Sequence, residues 1–146
     1  MTVVAEILKS KPDAAVHSIA PSASVLDALK SMAQLRIGAL LVMEGQAIVG
    51  ILTERDYARK IALMGRTSLT TLVSDVMTTA VMYVQPTQSS EECMALMTQN
   101  RLRHLPVVDD GMVIGMISIG DLVKDIISEQ QFIIEQMKHY ISGGGR

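Results

Sequence analysis

Sliding the sequence by 65 positions lays Ala15–Ile61 over Ala80–Ile126 without a gap. Over those 47 pairs, 12 are identical: Ala15/Ala80, Val16/Val81, Pro21/Pro86, Ser24/Ser89, Met32/Met97, Gln34/Gln99, Arg36/Arg101, Leu40/Leu105, Val42/Val107, Gly50/Gly115, Asp56/Asp121 and Ile61/Ile126. Most other pairs exchange like for like. A repeat of this kind constrains the fold more than any single motif: one supersecondary unit is built twice, and a site in one copy has a counterpart in the other.

Composition sets the bounds. The 146 residues suit one compact globule or two small modules sharing a core. Nearly half are apolar, but only three Tyr and one Phe are present, so the core is aliphatic. Eleven Met residues suit adaptable packing and apolar ligand walls. The net charge of −2 comes without basic clusters or aromatic stacking platforms, which argues against nucleic acid as a partner. One cysteine, Cys93, rules out an intrachain disulfide and an all-cysteine metal site. Residues 1–13 lack the apolar run of a signal peptide, and no stretch approaches the ~20 apolar residues of a membrane span. A soluble cytoplasmic protein is the expectation.

Each copy reads in the same order. A short apolar stretch, Val16–Ile19 and then Val81–Val84, is broken at Pro21 and Pro86. Ser24 with Asp27, and Ser89 with Glu92, fit capping boxes that open a helix. Apolar residues then recur at helical spacing: Val25, Leu26, Leu29, Met32 and Ala33, and later Cys93, Met94, Leu96 and Met97. Short continuous apolar runs, Ala39–Met43 and Leu105–Val108, read as buried strands. Turns at Glu44–Gln46 and Asp109–Gly111 lead to return strands at Ala47–Leu52 and Met112–Ile117. Second helices follow near Glu54–Met64 and Ile119–Ile127. The fold class is α/β, two βαββα modules packed as a pseudo-two-fold pair: a first module over 1–65, a second over 66–128 and a C-terminal helical tail over 129–146. Gly65–Thr71 reads as the linker. In the tail Phe132, Ile133, Gln136, Met137 and Tyr140 share a helix face, with Ile134 and Ile141 less well placed and Gly143–Gly145 as its end. That face suits a dimer contact or packing on its own subunit.

The chemistry lies where the return strand enters the second helix. Gly50, Thr53 and Asp56 in one copy match Gly115, Ser118 and Asp121 in the other. The glycine permits close backbone approach, the first helical turn offers free amides that favour anions, and an Asp can accept both hydroxyls of a ribose. The same hydroxyl–carboxylate spacing is also a helix cap. Its duplication at one place in both copies favours a ligand site.

With the stretch Arg101–Val108 and the segment Ser74–Thr78, these motifs resemble a tandem pair of CBS domains, named after cystathionine β-synthase and also called a Bateman module. The match covers residues 4–127. The resemblance is to stand-alone bacterial-type CBS pair proteins. It implies two pseudo-symmetric clefts between the modules that bind adenosine compounds: AMP, ADP, ATP, NAD or NADH, with S-adenosylmethionine the less favoured. Asp56 and Asp121 would hold riboses, and Thr53 and Ser118 would contact ribose or phosphate. Val16, Val81, Met82, Ile51 and Met116 would surround adenine. Arg103 and His104 match positions that face phosphate, whereas their counterparts Gly38 and Ala39 carry no charge. Arg55, with Gly120 as its counterpart, and the retained pair Arg36 and Arg101 are further phosphate candidates or solvated surface charges.

No catalytic or metal set is legible. His17, His104 and His139 are scattered, and neither a P-loop nor a nucleophile elbow is present. The expected function is a regulatory adenine-nucleotide sensor, acting through a homodimer or a protein target in trans. The alternatives are an assembly module with vestigial pockets or, behind it, a nucleotide-using enzyme.

Overall fold

The computed structural model describes residues 2–13 and 15–140. In chain order its elements are α1 (Val4–Ser10), β1 (Ser18–Ile19), α2 (Val25–Leu35), β2 (Ala39–Glu44), β3 (Ala47–Thr53), α3 (Glu54–Asp56), a π-helical continuation (Tyr57–Ala62), α4 (Val73–Val76), α5 (Ser90–Asn100), β4 (His104–Asp109), β5 (Met112–Ser118) and α6 (Ile119–His139). They form two compact units. The repeat-1 unit holds residues 15–83 and 108–114; the repeat-2 unit holds residues 2–13, 84–107 and 115–140.

In the repeat-1 unit, Ser24 caps α2 by accepting the Asp27 amide at 3.1 Å. Val25, Ala28 and Met32 recur at helical spacing and face inward. The helix stops where Arg36 turns left-handed, and its amide returns to the Met32 carbonyl. The sheet order is β1-β2-β3, with β1 parallel to β2 and β2 antiparallel to β3. Leu40, Leu41 and Val42 are all buried, which explains the continuous rather than alternating apolar run. Leu40, Val42 and Leu52 pack with Val25, Ala28, Met32, Ile61, Val73 and Val76 in one core.

The repeat-2 unit repeats this plan on its own core of Cys93, Met97, Leu105, Val107, Ile117 and Leu122, joined by Val4, Ile7 and Leu8 of α1. Asp110 and Gly111 both take positive φ between β4 and β5, as the Asp-Gly pair predicts for a tight hairpin. Ser89 and Glu92 make the full reciprocal box at α5, whereas Ser24 only accepts at α2. Cys93 is fully buried; burial first, and the neighbouring Glu92 second, push its thiol up to about 11. It is a protonated core residue.

The structure departs from the sequence-based expectation at both ends of the repeat. The opening strand shrinks to Ser18–Ile19 in repeat 1, and in repeat 2 to a single parallel bridge between Val84 and Val107. The short helices α1 and α4 have too few residues for a periodic signal. The compact units divide the chain differently from the repeat, because α1 joins the core of repeat 2 and residue 128 lies inside α6. The tail is helical as expected, but continuous with the repeat-2 helix: where Gly65, at positive φ, follows the repeat-1 helix, its counterpart is Gln130, a good helix former, so α6 runs through to His139. Phe132, Ile133, Ile134, Met137 and Tyr140 are each more than half exposed, so this face does not pack on its own unit. Ile141 and Gly143–Gly145 lie outside the described residues.

An acidic cluster marks the α6 junction. Asp125 Oδ2 is buried without a hydrogen-bond partner among the described residues. The Thr2 hydroxyl beside it donates to Glu129 at 2.7 Å. Desolvation, with smaller contributions from Glu129, Glu91 and Glu6, raises the Asp125 pKa above its ordinary value, although Thr2 opposes the shift. A carboxyl whose folded pKa exceeds its unfolded one favours folding while protonated, and that stability is lost as pH rises through the carboxylate range. Asp125→Asn is therefore expected to raise the melting temperature at neutral pH, and the gain should fade as acid protonates the wild-type carboxyl. Equal melting curves for the two proteins at neutral pH would contradict this.

Candidate functional site

Each return strand ends in the same reciprocal clamp. The Thr53 amide donates to Asp56 Oδ2 at 3.0 Å, and the Asp56 amide donates back to Thr53 Oγ1 at 3.2 Å. The Ser118 amide donates to Asp121 Oδ2 at 2.8 Å, and the Asp121 amide returns to Ser118 Oγ at 3.1 Å. The first helical amide is also anchored in both copies: Glu54 N donates to the Gly38 carbonyl and Ile119 N to the Arg103 carbonyl. Gly38 and Arg103 are repeat partners, so the site-bearing helix is tied to the start of the central strand twice over.

The glycines upstream are fixed by packing. A Cβ on Gly50 would sit 2.6 Å from Met77 Sδ and 3.0 Å from the Thr78 carbonyl oxygen. A Cβ on Gly115 would sit 2.7 Å from Leu8 Cδ2. Met77 immediately follows α4, and Leu8 belongs to α1. Each short helix thus brings a segment across the glycine of its unit. Ile51 and Thr78 exchange backbone hydrogen bonds of 2.9 Å in both directions.

Those crossing segments carry donors to the carboxylates. In the repeat-1 unit, Thr78 Oγ1 donates to Asp56 Oδ1 at 3.1 Å. Lys60 Nζ lies 3.2 Å from the same oxygen and donates to the Val76 carbonyl at 2.9 Å. In the repeat-2 unit, Lys11 Nζ lies 3.0 Å from Asp121 Oδ2 and donates to the Met116 carbonyl at 2.7 Å. His104 is half-buried; burial first holds its pKa below the ordinary imidazole value, Asp121 opposes this, and Lys11 and Arg103 add to it.

The structure thus gathers Thr53, Asp56 and Ile51 in one unit, and Ser118, Asp121, Met116, Arg103 and His104 in the other. Val16 and Val81 are half-buried and Met82 is exposed, all in the repeat-1 unit. Arg36 and Arg101 end α2 and α5 at positive φ, so the two copies share a left-handed cap at the retained Arg pair. Arg36 lines a shallow depression with Glu54 and Tyr57 rather than with Asp56. Arg55 is exposed on the first turn after Thr53. Three residues are not foreseen by the sequence reading: Lys60, Lys11 and Thr78. Lys60 is one helical turn after Asp56, a pairing that the sequence does signal. Lys11 and Thr78 arrive through tertiary packing and carry no local signal. Among the described residues, no group of three or more His, Cys, Asp or Glu side chains can hold a metal ion, and no helix is long and apolar enough to cross a membrane.

Two copies of one α/β unit, each closing its return strand on a glycine and a clamped carboxylate, define a tandem domain repeat. The chain belongs to the CBS-domain family, whose model matches residues 4–63 and 73–128. It is 42% identical over 151 residues to the mitochondrial CBS domain-containing protein CBSX3 of Arabidopsis thaliana, covering 98% of this chain and 73% of that one. A protein with CBS domains from Burkholderia ambifaria has a similar structure, with a TM-score of 0.86, 56% identity, and coverage of 88% of this chain and 96% of that one. The CBS domain pair of protein MJ0100, solved in complex with 5′-methylthioadenosine and S-adenosyl-L-methionine, matches with a TM-score of 0.73 and 26% identity, over 88% and 98% of the two chains.

The two glycines should differ in tolerance. An Ala at 50 meets a carbonyl oxygen held in a two-way backbone pairing, whereas an Ala at 115 meets only the end of a leucine side chain. Gly50→Ala is expected to destabilise by about 1–3 kcal/mol, the range for overpacking, and Gly115→Ala by less. Urea titration of both variants measures the order, and a larger loss at 115 would contradict it.

Proposed function

We propose that this chain is a regulatory module that binds an adenine nucleotide and passes occupancy to a protein partner or to its own oligomeric state, without a catalytic step. The observation that carries this reading is the Asp121 site: a carboxylate fixed by its cap, with one oxygen still open to donors, paired with Lys11 and within electrostatic reach of His104, which Arg103 adjoins in the chain. A ribose offers two neighbouring hydroxyls to such a carboxylate, and the cations suit the phosphate beyond it. The adenosyl ligands in the related MJ0100 pair support the nucleoside class.

In this reading Asp121, with Ser118 beside it, is a ribose acceptor, and Asp56, with Thr53 beside it, is its counterpart in the first copy. Ile51, Met116, Val16, Val81 and Met82 supply apolar walls for adenine. Arg103 and His104 serve phosphate, with Lys11 added by the structure, and Arg36, Arg101 and Arg55 are secondary candidates. Fixed cations oppose a sulfonium, so AMP, ADP, ATP or NAD(H) is favoured over S-adenosylmethionine. Binding acts by linkage: the ligand stabilises the arrangement that it binds best, and a partner that reads that arrangement responds. The exposed apolar face of α6 suits self-association into a homodimer. A cytoplasmic location goes with this reading.

Isothermal titration with AMP, ATP, NADH and S-adenosylmethionine tests the proposal. Asp121→Ala is expected to weaken nucleotide binding by about 1–3 kcal/mol, the scale of lost hydrogen bonds to a charged group. Unchanged affinity would remove the ribose assignment. Absence of binding by all four compounds would leave an assembly module.

The depressed His104 pKa adds a pH dependence. A bound phosphate favours the protonated imidazole, so binding takes up a proton and affinity rises as pH falls toward the lowered His104 pKa. His104→Gln should flatten that slope. The same slope in the variant would exclude His104 from the phosphate site.

A further inference from the structure

We propose that each chain holds one nucleotide, on Asp121, and that Asp56 is closed to ribose by Thr78 and Lys60. The inference rests on the ribose role given above to the two carboxylates, and it separates them.

An ionised carboxylate has about four acceptor positions. At Asp56 all four are used. Oδ2 accepts from the Thr53 amide at 3.0 Å and the Thr53 hydroxyl at 3.2 Å. Oδ1 accepts from the Thr78 hydroxyl at 3.1 Å and faces the Lys60 ammonium at 3.2 Å. The residue is only 7% exposed. At Asp121, Oδ2 takes the Ser118 amide at 2.8 Å and the Lys11 ammonium at 3.0 Å. Its Oδ1 accepts from no described residue.

The consequence is energetic. A ribose hydroxyl pair can dock on Asp121 Oδ1 with every present hydrogen bond intact. On Asp56 it must first dislodge a hydroxyl and an ammonium, and a displaced, half-buried donor left unpaired is costly. The difference is written in residues that the duplication did not keep alike. Lys60 has Asp125 as its repeat counterpart, so no lysine one helical turn on closes Asp121. The cations that favour a phosphate at Asp121 have Gly38 and Ala39 opposite them in the first copy. Each carboxylate pairs with one lysine, but closure coincides with Gly38 and Ala39 in the repeat-1 unit, and openness with Arg103 and His104 in the repeat-2 unit.

The test is calorimetric stoichiometry on the full chain, cleared of any retained nucleotide, with AMP, ATP, NADH and S-adenosylmethionine as probes. The wild type is expected to bind one equivalent per chain, weakened at least tenfold by Asp121→Asn. Lys60→Met combined with Thr78→Val leaves the Thr53–Asp56 clamp in place and removes two of the four donors, so a second, weaker equivalent is expected to appear. Thermal melting of both variants confirms folding, and each variant reads a different carboxylate. Two equivalents in the wild type, one equivalent that survives Asp121→Asn, or a double variant that stays at one would overturn the inference while leaving nucleotide binding intact. No binding of any probe by the wild type would overturn both.

Discussion

The reciprocal clamp between a hydroxyl residue and the Asp three positions on is the interaction on which the rest of each unit's site depends. A strand that turns into a helix leaves its ladder before the helix can satisfy its own first amides. Thr53 with Asp56, and Ser118 with Asp121, close that gap from both sides. The clamp also fixes the carboxylate: Asp56 and Asp121 cannot swing away without uncapping their helices. A charged group is thereby held still at the strand end, which a freely rotating surface Asp would not be.

The glycine that precedes each clamp is best understood together with what crosses it. Met77 and Leu8 lie so close to Gly50 and Gly115 that a Cβ at either position would require them to shift. Close approach of these segments delivers Thr78 to Asp56 and leads the chain on from α1 to Lys11 at Asp121. The short helices α1 and α4 are therefore part of the site's electrostatics as well as of the core. Val4, Ile7 and Leu8 anchor one, and Val73 and Val76 the other.

Most of the framework is legible in the sequence because its signals are local and duplicated. The paired strands, the tight turn at Asp110 and Gly111, the helix caps at Ser24 and Ser89, and the clamped Asp pair all follow from residue types a few positions apart. The opening strands are shorter than their apolar stretches suggest, because such a stretch before a Pro needs only one or two ladder bonds to be held: Val84 makes a single bridge. Ile127 marks no end to α6, since Gln130, unlike Gly65, gives a helix no reason to stop. The donors on the carboxylates divide the same way. Lys60 is one helical turn from Asp56, whereas Lys11 reaches Asp121 from the opposite end of the chain.

Packing and charge have followed different rules within the duplication. Ala28 and Cys93, Met32 and Met97, Leu40 and Leu105, Val42 and Val107, and Leu52 and Ile117 are all buried in both copies. Each keeps its apolar character because a core position tolerates little change in volume or polarity. Gly38 against Arg103 and Lys60 against Asp125 keep no such likeness, and where the first copy buries the small apolar Ala39 the second carries the half-buried His104. A duplicated fold can therefore clamp two carboxylates alike and still surround them with different donors. The clamp is required for the helix to start; what the outer oxygen accepts is decided by residues that the core leaves free to differ.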